Sequence, residues 1–126
     1  MLILGIAVAT VASFVASAAL YAIPAVSATI TRTSTPRPGL SMAAQMASVV
    51  LRSLITACLI AGILVCAEWH GAVPGLLLGL ALSVLPLTLL MGGVIHENTA
   101  VSAAAIHLVD WVVKLALIGV IVGLFV

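Results

Sequence analysis

The stretch HLVDWVVKLALIGVIVGLFV, residues 107–126, decides how this chain must be read. It is almost pure hydrocarbon, yet its first half carries Asp110 and Lys114. A bilayer core about 30 Å thick is crossed by roughly 20 apolar helical residues, which this stretch supplies. Each charge buried at the centre of such a span costs something like 2.5 to 3.5 kcal/mol on insertion scales. The two charges therefore need partners, and their spacing of i,i+4 with the acid first is the favourable one.

The rest of the sequence agrees with a lipid solvent. Of 126 residues, 65% are hydrophobic and 6% charged, where a soluble domain carries about 25% charged residues. Three acids, four bases and three histidines cannot build a water-facing surface, so the expected partner is the lipid bilayer. A formal charge of +1 with no basic run argues against nucleic acid. No two of His70, His96 and His107 have a zinc-ligand spacing on one helix face, so neither a metal nor any other cofactor is expected. Cys58 and Cys66 are eight residues apart in one apolar run, roughly 12 Å along a helix, beyond the reach of a disulfide. They read as small packing residues.

Hydropathy and punctuation divide the chain into an all-α, integral membrane four-helix bundle of up-down topology, a single transmembrane domain over 1–126. The expected helices are about 2–23, 44–67, 74–95 and 100–126. TRTSTPRPGLS, residues 31–41, is loop chemistry, and EWHGAVPG, residues 68–75, ends the second span. Pro74 suits the first turn of the third helix, and Asn98 or Thr99 is a plausible N-cap for the fourth. Pro86 lies mid-span and should kink the third helix. AVSA, residues 25–28, resembles a small-residue cleavage site, but the chain opens MLILGIAV with no basic n-region, so the first segment reads as a retained span. Arg32 and Arg37 stand in the first loop, while the other two loops hold neither Lys nor Arg. The positive-inside rule then makes the first loop cytoplasmic and both termini external, an orientation expected in the bacterial cytoplasmic membrane that the family resemblance described below implies.

Placed on a helical wheel, the polar residues fall into stripes. Thr10, Ser13, Ser17 and Tyr21 share an arc of the first helix; Gln45, Ser48, Arg52 and Thr56 share one on the second; His107, Asp110 and Lys114 share one on the fourth. Stripes on three helices predict a common polar seam, since lipid would leave such groups unpaired. Arg52 and Asp110 lie at nearly the same depth, so the expectation is that Asp110 bridges both Lys114 and Arg52. Small residues form a second pattern: Gly75, Gly79 and Ser83 on the third helix, and Gly119 and Gly123 on the fourth, opposite its polar face. Such spacings allow close helix approach, within the bundle or with a second copy, and self-association into a homo-oligomer is expected.

FVASAALYAIPAV (14–26), GLLLGLALSVLPLTLLMGGVIHEN (75–98) and DWVVKLALIGVIVGLF (110–125) together resemble a group of small four-span bacterial membrane proteins catalogued as a domain of unknown function. The shared features are length, an aromatic-Tyr-x-x-Pro-like end to the first span (Leu20, Tyr21, Pro24) and a Gly-ending last span. Leu20 stands where an aromatic is usual, and Trp111 near where a His is often found. The resemblance implies membrane residence and four helices, and supplies no activity. Small multidrug exporters have a similar length and span count but depend on an acid in the first span, and similarly sized fluoride channels carry an Arg there. This first span has neither.

The leading expectation for function is a non-enzymatic structural or accessory membrane component with a buried polar seam. The alternative is a small transporter or proton-linked channel using Asp110 with Arg52 and Lys114, since intramembrane ionisable groups mark such pathways. No Ser-His-acid, metal or paired-carboxylate constellation supports an enzyme.

Overall fold

The computed structural model describes all of residues 1–126 and is helical throughout, with no strand. Helix α1 covers Leu2–Ala22, α2 Pro24–Thr33, α3 Met42–Cys66, α4 Ala72–Leu82, α5 Val84–His96 and α6 Val101–Phe125. Four segments are long and apolar enough to cross a membrane: α1, α3, the continuous run Ala72–His96 made of α4 and α5, and α6. This is a small four-span membrane protein by length and composition of its helices.

Helix α2 is an element that the sequence reading left within the first connection. Its signal was Pro24, which sits at N1, where a missing N–H costs nothing, just after Ile23 turns extended at φ −61° and ψ 125°. The later connections are shorter. Glu68 adopts a left-handed φ of 56° and lets the Trp69 N–H reach the Leu64 carbonyl, closing α3. Asn98 does the same for α5 with φ 54°, and Thr99 donates its N–H to the Gly93 carbonyl. The expectation that Asn98 or Thr99 would cap α6 is therefore corrected: both finish α5, and the N-cap of α6 is Ala100, with no side-chain cap bond.

The third span breaks at Ser83, between α4 and α5. Pro86 has no N–H to give the Leu82 carbonyl four residues back, so the ladder fails at that point. The Ser83 N–H turns to Leu80 instead, and its hydroxyl donates to the Gly79 carbonyl at 3.0 Å.

Helix α6 touches every other helix, and α1, α3 and α6 enclose the core. Ala9 from α1, Ala57, Ile60, Ala61 and Leu64 from α3, and Leu115, Ile118 and Val122 from α6 form one buried cluster. The α3 members recur at i, i+3, i+4 and i+7, the spacing of one helix face. Cys58 and Cys66 fall off that face and are exposed, so they are not the packing residues expected from their size.

The third span contributes differently. α5 buries no residue, and α4 buries only Gly75 and Gly79. A Cβ at Gly75 would overlap the Gly119 carbonyl, one at Gly79 the Leu115 carbonyl, one at Gly119 the Gly75 carbonyl and one at Gly123 the Gly71 carbonyl. The two glycine patterns thus face each other inside one chain, bringing the backbones of α4 and α6 into contact. The Gly71 N–H also donates to the Gly123 carbonyl at 2.8 Å. Gly119 and Gly123 are consequently occupied within the bundle.

Candidate functional site

The buried polar groups gather where α1 and α6 meet. Thr10, Ser13 and Ser17 stack on the inner face of α1 and are all buried. Thr10 and Ser13 return their hydroxyls to backbone carbonyls of their own helix, Ile6 at 2.8 Å and Thr10 at 3.0 Å. Ser17, one turn further on, donates across to the Asp110 Oδ1. The other carboxylate oxygen of Asp110 accepts from Lys114 Nζ at 2.9 Å, with the two residues 6% and 4% exposed. Helical spacing places acid and base one turn apart, and burial makes their pairing obligatory, because either charge alone would be stranded in a low-dielectric interior. Lys114 Nζ also lies 5.4 Å from the ring centroid of Trp111.

One turn before Asp110, His107 Nδ1 meets the Tyr21 hydroxyl at 2.7 Å, and the two rings lie tilted with centroids 5.9 Å apart. Two side-chain links, Ser17 to Asp110 and Tyr21 to His107, therefore join α1 to α6 a turn apart. Their partners were on the predicted stripes, but the pairings depend on how the two helices rotate against each other.

The stripe on α3 departs from expectation. Gln45, Ser48, Arg52 and Thr56 lie outside the buried face, and Ser53 is the polar residue buried from this helix, its hydroxyl without a partner. Ser48 and Thr56 satisfy their hydroxyls locally, on the Gln45 carbonyl at 2.7 Å and the Arg52 carbonyl at 2.8 Å. Arg52 is exposed and has no carboxylate within 4.0 Å, so the expected bridge to Asp110 is not formed. Asp110 is satisfied by Lys114 and Ser17 alone.

Arg52 nevertheless belongs to the same site. A cavity of about 270 Å³ is walled by Tyr21, Arg52, His107, Asp110 and Lys114, together with Ser17 and the apolar Phe14, Met46, Val49 and Trp111. A second cavity of about 390 Å³ shares the walls Met46, Val49, Arg52 and His107 with it. That outer cavity is otherwise lined by the end of α2, the first loop with Arg37, and the start of α3 with Gln45 and Ser48. The polar space thus runs from the first loop inward to the Asp110–Lys114 pair. His70, in the second connection, and His96, at the end of α5, lie away from it, and no group of three His, Cys, Asp or Glu could hold a metal ion.

A family model described as a protein of unknown function (DUF1761) matches residues 4–123. No curated protein and no solved structure matches the chain.

Proposed function

The chain belongs to the DUF1761 family, and from that premise we propose that it is a non-enzymatic membrane protein that admits a small polar solute into the cavity between α1, α3 and α6, as a carrier or channel component would. One observation supports this over a purely structural seam. Groups that serve only as glue pack shut around one another, as Ser17, Asp110 and Lys114 do. Arg52, by contrast, stands at the wall shared by two adjoining cavities of about 270 and 390 Å³ with no protein counter-charge. In this reading the Asp110–Lys114 pair is the structural floor of the chamber, and Arg52 with its neighbours is the working wall. Ionisable groups inside spans commonly mark such solute paths.

Arg32 and Arg37 favour a cytoplasmic first loop, so the chamber opens to the cytoplasm and both termini lie outside. Self-association, if the chain forms a homo-oligomer, uses faces other than the occupied glycine seam.

Cysteine accessibility tests the proposal. Val49→Cys and Ala18→Cys, at two residues that line the inner cavity, each in a Cys58→Ser, Cys66→Ser background, should react with a charged, membrane-impermeant thiol reagent. Leu89→Cys on the exposed flank of α5 should not. Inert thiols at both cavity positions would show that water does not enter, and the solute-chamber reading would fall.

A further inference from the structure

The charges around the inner cavity do not cancel. Its wall carries two bases, Arg52 and Lys114, against one acid, Asp110. Lys114 and Asp110 are spent on each other at 2.9 Å, and Ser17 takes the second carboxylate oxygen. What remains is the guanidinium of Arg52, which makes neither an ion pair nor a hydrogen bond within the protein.

We infer that the cavity binds a small oxyanion, a carboxylate or phosphate group attached to a compact apolar body, with Arg52 as its counter-charge. The inference rests on the solute-chamber reading and supplies its ligand class. A cation would meet the like charge of Arg52 beside a carboxylate already neutralised by Lys114. A neutral solute would leave the guanidinium without a counter-charge. An oxyanion matches the planar donor fork of arginine, which binds two oxygens at once. Phe14, Met46, Val49 and Trp111 supply an apolar surface for the remainder of the ligand. Two sources present this chemistry, a free solute or the phosphate of an anionic lipid, and the experiment separates them.

Trp111 lines the cavity and Trp69 lies in the second connection, so a Trp69→Phe background leaves one reporter at the site. In a zwitterionic detergent, benzoate should change its fluorescence saturably, while benzamide and benzylammonium bind at least about tenfold more weakly, the equivalent of losing one charge-assisted contact. Arg52→Gln should weaken benzoate by about tenfold or more, and Arg52→Lys by less. Arg52 is exposed, so these variants should fold, and their melting curves check it. In nanodiscs, a response to phosphatidylglycerol that is absent with phosphatidylcholine, and lost in Arg52→Gln, would assign the oxyanion to a lipid headgroup. Equal binding of the three aromatic probes, preference for the amine, unaltered benzoate binding by Arg52→Gln, or no response to benzoate or phosphatidylglycerol would each overturn the inference. Val49→Cys labelling separates the two levels: a reactive thiol with no anion preference leaves the chamber and removes its assigned ligand.

Discussion

Ser17 of α1 donates to the same carboxylate, Asp110 of α6, that accepts from Lys114 on its opposite oxygen. A pair that would otherwise stabilise one helix thereby fastens two. Asp110 is 6% exposed, so the link lies in the low-dielectric interior where unpaired charge is costly.

Asp110→Asn should accordingly destabilise the fold by about 3 to 5 kcal/mol, the usual cost of stranding one partner of a buried pair. The double change Asp110→Leu with Lys114→Leu leaves no orphan charge and should recover most of that loss. Unfolding in mixed detergent micelles, followed by circular dichroism, measures both. Equal stability of wild type and Asp110→Asn would mean that the pair is hydrated.

Ser17→Ala removes a donor to a charged acceptor but leaves the ion pair intact. The expected loss is smaller, about 1.5 to 3 kcal/mol. Tyr21→Phe, half-buried at the other α1–α6 link, should cost about 0.5 to 1.5 kcal/mol. The same unfolding assay should rank the three single changes Asp110→Asn, Ser17→Ala and Tyr21→Phe in that order.

Gly119→Ala inserts a methyl into the Gly75 carbonyl and must push α4 from α6. Overpacking of this kind typically costs about 1 to 3 kcal/mol. Gly92→Ala, in α5, meets nothing within 4 Å and should be neutral or slightly stabilising. Comparable losses for the two variants would show that the glycine contact between α4 and α6 carries no packing energy.

Orientation is tested in the first loop. Thr35→Cys, in a background free of Cys58 and Cys66, should be protected from an impermeant thiol reagent in intact cells and labelled after lysis. Labelling from outside would invert the proposed topology.

Much of this molecule was legible before its structure. Hydropathy marks four spans because a bilayer leaves little freedom in length and polarity, and Asp110 and Lys114 announce themselves by helical spacing. Relations between helices were harder to read. Depth counted from helix ends put Arg52 level with Asp110, but depth says nothing of lateral distance or of which way α3 is turned. Its buried face proved to be Ser53, Ala57, Ile60, Ala61 and Leu64, which swings Arg52 outward. For the same reason the stripes on α1 and α6 named Ser17, Tyr21, His107 and Asp110 without saying which would bond to which. The glycines of α4 and α6 were visible as two patterns. That they serve each other follows from helix adjacency, which short-range periodicity does not encode.

The position of α6 has a consequence for how the protein is made. It follows the other spans in chain order, yet it contacts every one of them, while α4 and α5 make few contacts except with α6. During insertion, the third span must wait in the bilayer with its glycine face against lipid, and Ser17 must wait without its carboxylate. Before then, the direct packing of α1 on α3 is the main tertiary contact between spans. Arrival of α6 closes the glycine seam, the Ser17–Asp110 link and the apolar core together, so an interruption of synthesis before residue 101 leaves the third span undocked and the core open.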